Sequence, residues 1–407
     1  MVLFFLTGFI GVKGWGQTTY TWIGASGSSW TTASNWDPTR TTPATDDILQ
    51  FNSGTSLSVI DVPTQTIGKL LVSTTGTLIS LRSAAAVTLT ISGGSNAFSV
   101  ASGTTLNFSS IVNANAITIN IASGSTGSVS GSMAFSASSP ATSTAHRLTA
   151  ADASGLTFNS GAIFTAQSTL SGSPFGSTGT ANTVIFASGS VYQFRGGSNP
   201  FGLGQPSSKV VFQSGSTFKV QTNTSPALSG RSYGNLEIDA ASFNQSPTGT
   251  STLTILNSLT LTQATTLNLN LTGGISIGGN ITRTSGALNF SPASANNITL
   301  NGLADQTISG SSITFGTNTT LVIDKASGLA NLGGSYSLSN LTLTNGSLSI
   351  GSNTLTLAGT VSRTNGFLRG SNTSNLVING TVGTVSFDQG TDGSHVNPTT
   401  GTNVLQD

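Results

Sequence analysis

The stretches FNSGAIF (158–164), FASGSVY (186–192) and FQSGSTF (212–218) decide the fold, because one short unit recurs in all three. Each copy has a Phe, a turn that ends in Ser-Gly, and a strand-like piece that ends in an aromatic residue. The copies begin at positions 158, 186 and 212, so their spacing is nearly constant. A strand–turn–strand unit of this length is typical of one turn of a β-solenoid. A related Ala-Ser-Gly at 101–103 and again at 122–124 predicts a further, slightly shorter turn.

A longer repeat covers the C-terminal half of the chain. Its segments keep their order, and the offset between the copies shortens slightly along the chain, which small insertions in the turns of a stack explain. VLQD (404–407) resembles the opening of a third copy, so we expect the chain to stop inside an array. The four recurring segments are LEID (236–239) with LVID (321–324), LNSLTLT (256–262) with LSNLTLT (338–344), RTSGAL (283–288) with RTNGFL (363–368), and NITLNG (297–302) with NLVING (375–380).

Composition and local pattern together predict an all-β protein. Only 6% of the residues are charged and Glu occurs once, so the chain lacks the Glu, Lys and Arg that cover ordinary surface helices. Thr, Val and Ile favour strands, and in LTLT (341–344) the Leu side chains should face inward and the Thr side chains outward. We therefore predict a parallel β-solenoid (β-helix) rod with an N-terminal cap. Tandem β-sandwich repeats are the alternative.

Four segments follow from this interpretation. Residues 1–16 are predicted to be a signal peptide, since residues 2–12 form an apolar run that is too short to span a membrane. Residues 17–62 form a Trp-rich cap over the open end of the stack. Residues 63–230 form solenoid turns of about 21–28 residues. Residues 231–407 form a solenoid of repeats of roughly 80 residues, truncated at the start of a further copy.

Charge and cysteine content exclude several classes of protein. The 13 Lys and Arg residues are scattered over a chain of net charge +1, whereas nucleic-acid binding requires clustered cations. The chain has no Cys, which excludes disulfides and thiolate chemistry. No segment after the leader is apolar enough to span a membrane. None of this conflicts with the predicted signal peptide, which places the protein outside the cell, secreted or on the outer cell surface.

Residues with catalytic chemistry are few and dispersed. His146 and His395 have no partner set at zinc-ligand spacing, and we expect both in surface loops. Gly274–Gly278 matches G-x-S-x-G, but it lies in a Gly-rich strand repeat with no helix after it. Asp239 and Asp324 recur in repeat register, which indicates turn geometry. We predict no catalytic residue, no cofactor and no enzymatic activity.

Two candidate binding features lie in the cap. Asp46 and Asp47 are the only adjacent acidic pair, and we interpret them as a structural turn, with Ca²⁺ binding as the alternative. Trp22, Trp30 and Trp36 form either an aromatic seal on the solenoid end or a platform that stacks on glycan rings. Flat arrays of Thr can bind ice, but irregular spacing argues against this use of Thr-x-Thr pairs such as those at 88/90, 260/262, 342/344 and 354/356.

Several segments of the chain match a known group of proteins: Trp22-Ile23-Gly24, Trp30, Asn35–Pro38, Pro43, Asp46-Asp47-Ile48 and the segments 186–202, 229–239 and 341–362. In these residues the chain resembles large repeat-rich secreted surface proteins of Bacteroidetes-type bacteria. The resemblance implies export by type IX secretion, attachment to the cell surface and adhesin-like roles; it carries over no catalytic residue. Many members end in a C-terminal sorting domain, which is absent from this sequence.

Taken together, these features predict a secreted or cell-surface structural, adhesin-like protein. It is expected to be a monomeric rod within a longer chain, with extracellular glycans, matrix or other cells as partners. The alternatives are a carbohydrate-binding module and a non-catalytic fragment of a carbohydrate-active β-helix enzyme. Converging acids, or acids beside an Arg, in one groove would favour the enzyme.

Overall fold

The computed structural model describes residues 17–109, 115–135 and 144–380, together with the backbone of two short strands near the C-terminus. Over these residues the chain winds into a parallel β-solenoid, as predicted, and the β-sandwich alternative is wrong. Each full turn contributes up to three short strands, which stack on the strands of the turns before and after it. The stack therefore has three flat faces, which meet at three corners.

The first face opens the solenoid. Its strands pair in parallel except at the start, where Trp36–Asp37 runs antiparallel to the first strand and covers its open edge. The strands are Thr19–Trp22, Ile48–Phe51, Lys69–Val72, Phe98–Val100, Gly127–Val129, Leu156–Phe158, Val184–Phe186, Val210–Phe212, Ser232–Tyr233, Leu253–Ile255, Ile275–Ile277, Asn296–Leu300, the first parts of Thr319–Leu332 and Asn340–Ser349, and Val361–Arg363.

The second face is parallel throughout and has no interruption between its first and last strands. Its strands are Ser28–Ser29, Ser56–Ile60, Leu78–Leu81, Thr105–Phe108, Ser132–Phe135, Ile163–Ala166, Val191–Phe194, Thr217–Val220, Asn235–Asp239, Leu259–Gln263, Ile281–Arg283, Gln306–Ser309, the later parts of Thr319–Leu332 and Asn340–Ser349, and Phe367–Arg369.

The third face is less regular, because loops replace its strands between residues 151 and 243. Phe175 and Phe201 from these loops still fill the core, with at most 2% of their surface exposed. The strands of this face are Gln65–Ile67, Val87–Ile91, Ile117–Ile121, Arg147–Ala150, Asn244–Gln245, Thr248–Gly249, Thr266–Leu271, Ala287–Phe290, Ile313–Phe315, Tyr336–Leu338, Thr354–Leu357 and Asn375–Ile378. Outside the faces lie the 3₁₀ turn Ala33–Asn35 and the antiparallel pair Asn397–Pro398 and Leu405–Gln406.

The core is one continuous column of inward side chains. Alternate residues of each strand point into it, as predicted for the LTLT segment, in which Leu341 and Leu343 are buried and Thr342 is half-buried. Burial of each such side chain contributes about 1.5–3 kcal/mol, and every turn repeats that contribution. The stack is therefore held by hydrocarbon contact and backbone pairing rather than by charge.

The repeat that decides the fold stacks in register. Phe158 lies beside Phe186, and Phe186 beside Phe212, with ring centroids 4.4 and 5.0 Å apart. The Ser-Gly turns also stack, since Gly161 N–H donates to the carbonyl of Gly189 at 3.0 Å, and both glycines have positive φ, 83° and 79°. Other residues adopt that backbone at a cost, which explains why the unit keeps Gly there.

Two repeat interpretations need correction. Ala101 directly follows a first-face strand and Ala122 directly follows a third-face strand. The two Ala-Ser-Gly segments therefore occupy different corners, and their separation is not one turn of the solenoid. The longer repeat also changes face. Leu236 is on the second face and Leu321 on the first, because its copies are not separated by a whole number of turns. The three faces require the same alternation of side chains, so a repeated strand fits any of them.

Candidate functional site

The three Trp residues of the cap are buried. Trp22, Trp30 and Trp36 are 3%, 1% and 1% exposed, and Trp36 meets the other two edge-on, with ring centroids 4.9 and 5.2 Å away. Trp36 Nε1 donates to the carbonyl of Trp30 at 2.9 Å. These rings pack on Phe51 and close the end of the core. They therefore present no free face on which a glycan ring could stack.

The acidic pair of the cap is split between core and solvent. Asp47 is buried, and its Oδ2 accepts from Arg40 Nε at 2.7 Å and from the N–H of Ala44 at 2.9 Å. Asp46 is exposed. Over the described residues, no three His, Cys, Asp or Glu side chains are grouped as a metal site requires. Asp47 is thus the counter-ion of the buried Arg40 inside the cap.

His146 was expected in a surface loop, and the structure shows that this is wrong. Its side chain is fully buried between Phe108 and Phe135, whose ring centroids are 5.9 and 6.0 Å away, and Nδ1 accepts from the N–H of Ile117 at 3.1 Å. Burial lowers the pKa of His146 to about 4, the hydrogen bond from Ile117 opposes that change, and the charge of Arg147 adds to it. His395 lies outside the described residues.

This pKa predicts a loss of stability in mild acid. The unfolded chain takes up a proton near pH 6.5 and the folded chain only near pH 4, so the contribution of His146 is complete above pH 6.5 and disappears between those values. The difference corresponds to about 3 kcal/mol. Urea titrations at pH 7.5 and pH 4 give the free energy of unfolding of the wild type and of His146→Gln. The advantage of the wild type over the variant should be smaller at pH 4 by an amount of that order. A difference in free energy of unfolding that stays the same at both pH values contradicts the prediction.

The remaining sequence candidates are dispersed. Ser276 of the G-x-S-x-G match points outward from a strand of the first face and accepts from Asn301 Nδ2 at 2.9 Å, so it does not lie at a strand-to-helix elbow. The Thr-x-Thr pairs are distributed over all three faces, with Thr88 on the third, Thr260 on the second and Thr342 on the first. They do not form one flat array.

A polar cluster that no sequence motif marks lies on the second face. Lys219 Nζ lies 3.1 Å from Glu237 Oε1 and 3.2 Å from Asp239 Oδ2. Gln221 Nε2 donates to the same Asp239 oxygen at 3.1 Å, and Arg195 Nε donates to Gln221 Oε1 at 2.9 Å. Burial lowers the pKa of Lys219, but hydrogen bonds and charge attraction from the two carboxylates outweigh this effect and raise it overall. The cluster links three successive turns.

The chemistry of this cluster is that of an ion-pair network. One ammonium group bridges the two carboxylates, so both already have a counter-ion. Side-chain exposures of 25% for Lys219, 22% for Glu237 and 16% for Asp239 show that the network lies on an open sheet face rather than in a deep groove. Asp239, interpreted from sequence as a turn residue, is instead the last residue of a strand and part of this network.

Register alone could have revealed the cluster. Gln193, Lys219 and Glu237 are aligned partners on successive strands. Arg195, Gln221 and Asp239 each follow one of them by two positions in the sequence. The signal was weak, because the step in sequence from Lys219 to Glu237 is much shorter than the step that separates copies of the recognised unit.

Comparison with known protein families, with curated proteins and with solved structures finds no match to this chain. Within the described residues, no helix has the length and apolar character needed to cross a membrane.

Proposed function

We propose that this protein is a secreted or cell-surface rod, structural and adhesin-like, with no catalytic activity of its own. The observation that supports the proposal best is the uninterrupted parallel ladder of the second face. From Ser28–Ser29 to Phe367–Arg369 it crosses fourteen strand-to-strand steps. Steps of about 4.8 Å make a shaft of roughly 65 Å.

The outer surface of the shaft suits repeated weak contacts. One outward row of the first face carries hydroxyl side chains on all of its turns but one, where Val322 takes the place. Sugar hydroxyls pair readily with such donors and acceptors. Many weak contacts along one rigid body give strong attachment, because the later contacts form at high effective concentration. The aligned residues of the row are Ser232, Thr254, Ser276, Thr299, Val322, Thr342 and Ser362.

The experiment is a flow assay with beads that carry the full chain. Beads should be retained on surfaces coated with extracellular polysaccharide or matrix, and beads coated with heat-unfolded protein should wash off. The same surfaces should release no reducing ends and no unsaturated sugars into the buffer. Equal retention of folded and unfolded coatings refutes the adhesive role, and release of sugar products refutes the non-catalytic one.

A further inference from the structure

The first face contains one place where neighbouring strands do not pair. Val210–Phe212 and Ser232–Tyr233 follow each other in the stack, but no ladder pairing joins them, whereas each pairs with the strand on its other side. A cavity of about 230 Å³ opens at this break, and Arg231 lies in its wall. Turn length also changes at this break. Val184 aligns with Val210 before the break, and Ser232 aligns with Thr254 after it. Fewer residues separate the second pair, so the later turn is shorter.

Arg231 is a buried cation without a carboxylate partner. It is 7% exposed, and none of the three ion pairs in the described part of the chain includes it. Its terminal nitrogens donate to the carbonyls of Ser207 and Leu203, each at 2.7 Å, and its Nε has no hydrogen-bond partner. A guanidinium group has five N–H donors, so these two bonds leave most of its capacity unused.

A second buried cation adds positive charge to the same corner. Lys209 is 3% exposed, and among the residues that the structure describes its Nζ donates only to the carbonyls of Thr178 and Thr180, at 3.1 and 2.8 Å. Its backbone N–H donates to the carbonyl of Phe201, which lines the cavity. Burying a charge without a counter-ion is costly, so the corner favours an anionic ligand. A carboxylate matches the planar fork of an Arg side chain.

The rest of the cavity indicates what carries the carboxylate. Pro206 is exposed and provides an apolar edge against which the C–H face of a sugar ring can pack. Phe201 is 2% exposed and lies beneath the guanidinium group of Arg231, 4.7 Å from its ring centroid, so it supports Arg231 rather than the sugar. Asn182 and Ser232 offer an amide and a hydroxyl group to ring hydroxyls, whereas the Ser208 hydroxyl is already hydrogen-bonded to the backbone of Val210. The volume is below the ~300–1,000 Å³ of sites for drug-sized ligands and suits a single ring. A second cavity, of about 470 Å³, shares Arg231 in its wall and leaves room for adjoining units of a chain.

We propose that the cavity beside Arg231 binds a uronate unit of an acidic polysaccharide, with the carboxylate at the guanidinium group. The site goes beyond the rod proposed above and does not depend on it. A rod without this site would still be retained in the flow assay, and the site could bind sugar even if the rod had no adhesive role.

The test is calorimetric titration of the full-length protein with trigalacturonate, and with maltotriose, succinate and inorganic sulfate as comparison ligands. Trigalacturonate should bind, and maltotriose, succinate and sulfate should each bind at least about tenfold more weakly, because a charge-assisted contact and a ring contact are both required. Arg231→Gln should weaken trigalacturonate binding by about tenfold or more.

Two further variants separate ligand binding from folding. Ser232→Tyr places a large side chain at the cavity and leaves Arg231 in position, so it should also abolish binding. Thr299→Tyr, in the same outward row three turns further on, is the matched control and should bind as the wild type does. The proposal is overturned if the wild type does not bind trigalacturonate, if maltotriose, succinate or sulfate binds equally well, or if folded Arg231→Gln and Ser232→Tyr retain full affinity. If Arg231→Gln does not fold, Ser232→Tyr decides.

Discussion

Asp47→Ala should destabilise the N-terminal end of the solenoid by about 3–5 kcal/mol, because it leaves the buried Arg40 without its counter-ion. The side chains of both residues are 3% exposed, and Arg40 Nε lies 2.7 Å from Asp47 Oδ2. The backbone N–H of Ala44 loses its acceptor in the same substitution. The free energy of unfolding from urea titrations, followed by Trp fluorescence, measures the effect directly, since the described Trp residues all lie in this cap.

The neighbouring acid supplies the control. Asp46 is exposed, so Asp46→Ala should change the free energy of unfolding by no more than about 0.5 kcal/mol. The double variant Arg40→Met/Asp47→Leu removes both charges and should recover most of the loss, because a buried ion pair is replaced by apolar groups of similar size. Equal effects of the two single Asp substitutions would show that the ion pair does not hold the cap together.

Phe186→Ala should cost about 3–5 kcal/mol, the loss typical of a large aromatic side chain removed from a packed core. Phe186 is fully buried in the column that decides the fold. It stacks on Phe158 and Phe212 at 4.4 and 5.0 Å, and Tyr192 meets it edge-on at 5.7 Å. Both adjacent turns lose contacts, so the cavity cannot close by movement of one loop. Thermal and urea unfolding, followed by circular dichroism at strand wavelengths, measure the loss.

Thr157→Ala is the matched control for Phe186→Ala. Thr157 is in the neighbouring strand of the same face, but it points outward and is half-buried. Its replacement should cost less than about 1 kcal/mol. If Thr157→Ala and Phe186→Ala cost the same, alternate residues do not point into a common core and the inward column is wrong.

The fold could be predicted from the sequence in the region where copies of one unit occupy the same corner of the stack on consecutive turns. Each of the copies at 158, 186 and 212 has a Phe that faces inward and a Gly with positive φ. Stacking of the copies explains why both residues recur. The longer repeat was less informative about position. Leu236 and Leu321 are equivalent in sequence but lie on different faces, since each face accepts the same alternation of Leu and Thr.

The candidate sites depended on contacts between turns, which local sequence does not encode. His146 is buried because Phe108, one turn earlier, and Phe135, from the strand before it, flank it, and nothing next to it in the chain indicates this. The Lys219 network combines residues from three turns of unequal length. Arg231 follows an ordinary Ser-Gly turn, and only the missing strand pairing beside it reveals the cavity.

The distance between two spin labels on the outward row of the first face tests the central claim most directly. The chain has no Cys, so two introduced cysteines are the only labelling sites. Ser232 and Ser362 are far apart in sequence but only six stacked steps apart in the row. Pulsed electron paramagnetic resonance should give a narrow distance distribution centred at about 29 Å for this pair. The distance between labels at Thr254 and Ser362 should be about 5 Å shorter. Broad distributions, or distances that do not fall by one step per turn, would contradict in-register stacking.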